Sequence, residues 1–289
     1  MDVSYNQDLV NDIANKRIVL FVGAGASKWA QPRDGARFKD WKEFLLYAAE
    51  YISKPDLRGV VSDRVNAGDY LIASELIKDC LDDGWSDLLT AEFMRAADVS
   101  RLHAALISLN QRIIITTNFD KLIESAWDAA GLNNFPKIIT KIDHKVFRLF
   151  RDDNYYLIKL HGSVDDVSEI TFDKSSYQKR AFSNSFYKNL LDSLLLTHTF
   201  LFIGFSMDDP AVSLIIEQHA FKFSENRPHY ILLSGDENYL VDGLSKKLRK
   251  LCVIRYKSEN NHERLAEYIE GIAREGEIQR KLNFSAGRF

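Results

Sequence analysis

The sequence predicts an α/β fold: a largely parallel sheet with helices on both faces and a helical insertion after the first strand. Three observations carry this. Short runs of β-branched and aromatic residues alternate with helical patterns, the mark of successive βα units. Several of these runs are apolar almost throughout, as strands are when helices cover both faces of a sheet. More than 80 residues separate the first run from the second, too many for a single crossover helix.

Taken in order, the strands are expected at 17–22, 112–116, 155–160, 199–203, 229–233 and 252–256. The long first connection is mostly helical. In it Trp41, Phe44, Leu45, Ala48, Ala49 and Ile52 follow the i, i+3, i+4 stripe of a packed amphipathic helix, and further helical patterns cover 68–82, 85–97 and 100–109. This stretch, about 36–110, is read as an insertion over one edge of the sheet. A charged amphipathic helix at 261–281 closes a single domain spanning 1–281, and 282–289 reads as a loose tail. No repeat or low-complexity tract stands out.

Bulk properties bound the function. The 289 residues can bury a large core, and 38 basic against 41 acidic residues leave a formal charge of −3, which gives no electrostatic case for wrapping nucleic acid. Cys80 and Cys252 lie far apart and cannot form a four-cysteine zinc site, so no metal is expected. They fit a reducing compartment. With no leader pattern and no membrane-spanning stretch, the expected location is the cytoplasm.

The stretch "IVLFVGAGASKW" runs an apolar strand straight into Gly23, Ala24, Gly25, Ala26 and Ser27. Bare backbone at the start of a helix suits a phosphate or pyrophosphate, while the plainer reading is a tight strand-to-helix turn. The dehydrogenase fingerprint G-x-G-x-x-G is broken. Lys28 stands at the third glycine, and the acid at the right distance, Glu43, lies inside a helical pattern. Hydride transfer is therefore disfavoured.

Three further strands also end in polar clusters: Thr116, Thr117, Asn118, Phe119 and Asp120; His161, Gly162 and Ser163; and Gly204, Phe205, Ser206, Asp208 and Asp209. Ligands of open parallel sheets sit beyond the carboxyl ends of the strands, so these clusters converge on one rim. Singly, each has a plain alternative. Asn118 or Asp120 could cap the next helix, Asp209 with the following proline is a common helix start, and His161 could be structural.

In this order and spacing, the glycine turn with Ser27, Thr117-Asn118-Phe119-Asp120, His161-Gly162 and Gly204-Phe205-Ser206 resemble the sirtuin superfamily. The similarity is greatest to the sirtuin-like NAD-hydrolysing effectors of bacterial antiphage defence, and it spans 17 to about 235. The resemblance implies a Rossmann-like NAD-binding domain. Gly23, Ala24, Gly25 and Ser27 would hold the pyrophosphate and adenosine side. Asn118 and His161 would be the catalytic pair beside the nicotinamide ribose. Thr117 would join the cofactor-binding set, Asp120 would line the nicotinamide pocket, and Gly204, Phe205 and Ser206 would contact the adenosine end.

The chain departs from protein-deacylating sirtuins in three places. It lacks their four zinc cysteines, it carries Thr117 where they tend to have Gln, and the segment after Ser27 does not reproduce their Gly-Ile-Pro-Asp-Phe-Arg stretch. Water is then the simplest acceptor. The expected reaction is NAD+ hydrolysis to nicotinamide and ADP-ribose, with cyclisation as a second outcome if water is excluded. The alternatives are an NAD- or ADP-ribose-binding module without turnover, and, less favoured, a deacylase or ADP-ribosyltransferase. An ungated NAD hydrolase would exhaust its own cell. The resemblance therefore implies control through self-assembly or a separate sensor subunit, a HerA-type ATPase or a nucleotide-pyrophosphatase-like protein.

Overall fold

The computed structural model describes residues 5–183, 185–207 and 209–287, so Asp208 lies outside the described residues. Helix α1 (Gln7–Ala14) starts where the Asn6 side chain accepts the Leu9 N–H at 3.1 Å, and leads into β1 (Ile18–Val22), buried at every position. A short 3-10 turn over Ala24–Trp29 and strand β2 (Gln31–Pro32) follow. Then come α2 (Trp41–Ala49), α3 (Pro55–Asn66), α4 (Tyr70–Leu81) and α5 (Asp83–Phe93). The short β3 (Ala97–Asp98) pairs antiparallel with β2 and precedes α6 (Arg101–Ser108).

From there βα units build the sheet: β4 (Ile113–Thr116), α7 (Leu122–Ala129), β5 (Lys137–Ile139) and β6 (Tyr156–Lys159). After α8 (Lys174–Ser183) and α9 (Ser185–Thr197), β7 (Thr199–Ile203) follows. The last units are α10 (Pro210–Lys222), β8 (His229–Ser234), α11 (Tyr239–Arg249), β9 (Leu251–Tyr256) and α12 (Glu259–Ser285).

The seven strands of the main sheet are all parallel, in the order β5-β6-β4-β1-β7-β8-β9. The chain leaves β1 toward β4 on one side and later returns to β7 on the other. This reversal of strand order puts the ligand crevice of such sheets over the carboxyl end of β1.

Alternation along the strands divides the core. Leu20, Ile114 and Leu201 face α1, α6, α7 and α12 through Leu9, Leu106, Ile123 and Ile269. Phe21, Ile115 and Phe202 face α9 and α10 through Leu194 and Val212. A third cluster gathers Phe44, Leu45, Val65, Ile77 and Trp85 from α2–α5 around Phe119 and Ile170 with Phe172, all from loops at the carboxyl rim. Helices α2–α5 therefore pack on the crevice wall.

Three local features differ from expectation. Strand β5 was not anticipated, because two of its three residues are exposed and no apolar run marks it. The chain after the glycine turn closes as a six-residue 3-10 turn instead of an α-helix. The final helix continues to Ser285, so the segment expected as a loose tail at 282–289 begins in helix.

Candidate active site

The glycine turn is shaped by its neighbour strand. The Gly23 and Gly25 N–H groups donate to the Ile203 and Gly204 carbonyls at 2.9 and 2.8 Å. A Cβ on Gly23 would lie 2.5 Å from the Gly204 oxygen, and one on Gly204 (φ +62°) 2.5 Å from the Ala26 nitrogen. These glycines let two backbones touch. The turn's unencumbered N–H groups, expected to cradle a phosphate, are in these two cases spent on the β7 corner.

Strand β4 delivers Asn118, and its surroundings fix the amide. Its Nδ2 donates to the Gly23 carbonyl at 3.1 Å and to Ser27 Oγ at 2.9 Å, so both amide hydrogens are used. Ser27 Oγ in turn donates to Asp120 Oδ2 at 2.6 Å, and Asp120 Oδ1 accepts the Leu122 N–H at 3.1 Å. Asn118 Oδ1 is left buried with no hydrogen-bond partner. An orphaned acceptor of this kind costs roughly 1–3 kcal/mol unless a ligand or water donates to it. Asn118, expected to offer both a donor and an acceptor, presents an acceptor only.

The loop beneath is pinned from β6. The fully buried Lys159 ammonium pairs with Glu124 at 2.9 Å, donates to the Phe119 carbonyl at 3.2 Å, and also donates to the Asp120 carbonyl. Behind Asp120 lies His103, whose Nδ1 is 2.7 Å from Ser100 Oγ. Burial holds its imidazole below its ordinary pKa, against the opposing pull of the Asp120 charge.

His161 follows β6 directly. Gly162 (φ +89°) makes the turn possible, since a Cβ there would meet the Glu169 oxygen at 2.7 Å. The His161 carbonyl accepts the Thr171 N–H at 2.8 Å. Nε2 lies 3.1 Å from Asp209 Oδ2 and 3.3 Å from the Tyr177 hydroxyl, which also donates to that oxygen. Asp209 Oδ1 caps α10 through the Val212 N–H at 3.0 Å. Burial pushes the Asp209 carboxyl up, but the His161 charge and the hydrogen bonds from His161, Tyr177 and Val212 outweigh it and hold it below its ordinary value. Burial, then the Asp209 charge, raises the Tyr177 hydroxyl well above its ordinary value, so it stays a donor.

Both arms open on one cavity of about 730 Å³. Of the residues expected at the site, Ala24, Gly25, Ser27, Thr117, Asn118, Asp120, His161, Gly204, Phe205 and Ser206 line it. Gly23 does not, and acts through its carbonyl on Asn118. Ser27 is engaged by Asn118 and Asp120, which makes it a scaffold for the amide. Phe205 also packs on Phe21, with ring centroids 4.8 Å apart.

The sequence reading missed Tyr177 as a site residue and missed the second role of Asp209. It also missed the wall that α2–α5 contribute, where Trp41, Tyr70, Phe93 and Phe172 line the cavity. Lys28, Arg37, Lys39 and Lys42 bring cationic side chains to the same cavity, the first three paired with Asp40, Glu43 and Glu92. No cluster of three or more His, Cys, Asp or Glu among the described residues could hold a metal ion.

An open parallel sheet with a ligand crevice at its switch point, and an amide and an imidazole brought together there, defines the class: a nucleotide-binding-type α/β protein with catalytic-type side chains. Residues 112–260 match the SIR2-like domain. The chain belongs to that family.

It is similar to the NAD(+) hydrolase ThsA of Cytobacillus dafuensis, 26% identical over 257 residues, covering 82% of this chain and 48% of the relative. It is also similar to ThsA of Bacillus cereus, 27% identical over 306 residues, covering 97% and 58%. Defense-associated sirtuin 2 of Bacillus subtilis is 22% identical over 231 residues, covering 78% and 22%. The chain thus spans about half the length, or less, of the curated relatives it matches. Among solved structures, a Sir2 homologue complexed with ADP-ribose aligns over 96% of this chain and 99% of its own, at 16% identity and a TM-score of 0.47.

Proposed function

We propose that this chain is an NAD+ glycohydrolase, releasing nicotinamide and ADP-ribose as a gated effector of bacterial antiphage defence. The observation that carries the reading is Asn118 Oδ1, a buried acceptor with no protein donor, in the same cavity as His161. The relatives named NAD(+) hydrolase ThsA support the reaction, and the family match supports the substrate.

Cleaving the nicotinamide–ribose bond expels a neutral base, so the leaving group needs little protonation. The work lies in stabilising an oxocarbenium-like ribose and placing a nucleophile at its anomeric carbon. Asn118 Oδ1 orients a hydroxyl or water by accepting its hydrogen. The His161 imidazole takes the proton as the nucleophile adds. Asp120, tied to Ser27 and the Leu122 N–H, sets negative charge near the developing cation. ADP-ribose is the product when water adds, and cyclic ADP-ribose when the adenine ring does.

We place the protein in the cytoplasm; no helix among the described residues is long and apolar enough to cross a membrane. Control through self-assembly or a separate sensor subunit, of the HerA-type ATPase or nucleotide-pyrophosphatase-like kind, belongs to the same proposal.

The test is nicotinamide release from NAD+ by the purified chain, alone and after assembly, against Asn118→Ala and His161→Ala. Release lost in both variants is the expected result. NAD+ binding without release from any form would assign the chain to non-hydrolytic recognition.

A further inference from the structure

His161 is held from one side only. Its Nε2 faces the Asp209 carboxylate at 3.1 Å and the Tyr177 hydroxyl at 3.3 Å, with all three side chains buried. Its Nδ1 meets no protein hydrogen-bond partner among the described residues. The Tyr177 proton goes to Asp209 Oδ2, because a carboxylate is the strongest acceptor within reach. That leaves the Tyr177 hydroxyl unable to donate to His161. The only proton that satisfies the remaining contact is one on Nε2, directed at Asp209.

Each partner is fixed independently of the imidazole. Asp209 is anchored as the N-cap of α10. Tyr177 rides on α8, which Arg180 fastens to the Leu160 and Glu169 carbonyls on either side of the His161 turn.

We propose that Tyr177 and Asp209 are positioning residues that lock His161 in the Nε2–H tautomer and so present Nδ1 as the basic nitrogen. Its bearing on catalysis rests on the NAD+ hydrolase reading; the tautomer itself does not. The two residues have unequal tasks. Asp209 selects the tautomer, and Tyr177 keeps the carboxylate turned toward the ring while withholding its own proton from Nε2.

The inequality gives a test. In Asp209→Ser, the new hydroxyl can still cap α10 but is too short to reach the imidazole. Tyr177, without its carboxylate, then donates to Nε2, and the ring proton moves to Nδ1. The base facing the cavity is lost.

The tautomer is read by nitrogen-15 NMR of the imidazole groups in the full chain, with the His161 signals assigned by their loss in His161→Gln. Wild type and Tyr177→Phe are expected as Nε2–H, Asp209→Ser as Nδ1–H, and the double variant as a mixture. In parallel, kcat for nicotinamide release should fall roughly 10²-fold in Asp209→Ser, the scale of a lost general base, with KM changed less than about threefold. Tyr177→Phe should lose about three- to tenfold, the effect of one hydrogen bond.

A wild-type Nδ1–H ring overturns the proposal, as does an unchanged tautomer in folded Asp209→Ser. If Asp209→Ser does not fold, the wild-type and Tyr177→Phe spectra decide. The expected tautomers without nicotinamide release from any form would leave the positioning intact and sink the hydrolase reading instead.

Discussion

The two arms of the site are built from different material. Asn118 is held by backbone and short side chains at the tips of the central strands: the Gly23 carbonyl, Ser27 and Asp120, over the buried Lys159–Glu124 pair. His161 is held by longer side chains from helices outside the sheet, Tyr177 of α8 and Asp209 at the start of α10. The amide therefore inherits the rigidity of the sheet centre, while the imidazole depends on how two helices dock. Damage to the first arm should register in folding as much as in activity, and damage to the second mainly in activity.

The largest expected effects probe the arms directly. His161→Ala should lower nicotinamide release by about 10²–10⁴-fold with the fold intact, which a steady-state assay and a thermal melt together check. Next comes Lys159→Met, which strands Glu124 as a buried unpaired charge. It should cost about 3–5 kcal/mol in a denaturant titration, and Lys159→Met/Glu124→Leu should recover much of that loss. A Lys159→Met protein as stable as wild type would end the claim that the amide arm is part of the folding core.

Gly204→Ala adds a Cβ 2.5 Å from the Ala26 nitrogen at a positive φ, and should cost more than about 2 kcal/mol. Gly235→Ala, also at positive φ but with open space around it, should cost only about 1 kcal/mol.

The last effect lies at the opposite rim and is absent at neutral pH, growing only on acidification. Burial drives the His229 imidazole down to about 3, against an ordinary value of 6.5. The unfolded chain therefore binds this proton first, and stability is lost as pH falls from about 6.5 toward 3. His229→Gln should flatten the denaturation midpoint over that window while sparing the release assay.

Much of this was legible in the chain. Six of the seven main strands are apolar runs, and the α2 stripe from Trp41 to Ile52 is plain, because burial writes itself into periodicity. The rim residues were legible as polar groups placed where strands end. What could not be read is how they partner. Asp209 before a proline already had a sufficient explanation as a helix cap, and that reading is correct for Oδ1 while saying nothing of Oδ2. Tyr177 sits in "KSSYQKRAF", a polar helix with no stripe to single it out. The glycines at 23 and 25 suggested room for a phosphate, yet their requirement comes from Gly204, about 180 residues away. Strand β5 shows the same limit: three residues at an edge, recognisable only from their pairing with β6.

The interlocked glycines bear on how the crevice can move. With the β1 and β7 corners in backbone contact, the floor of the crevice behaves as a fused knuckle with no play of its own. Any breathing of the crevice must come from the walls, where α2–α5 lean on Phe119 and Phe172 and α8 leans on the histidine turn. Force applied to α2–α5 would reach the amide arm through Phe119, its neighbour in the chain.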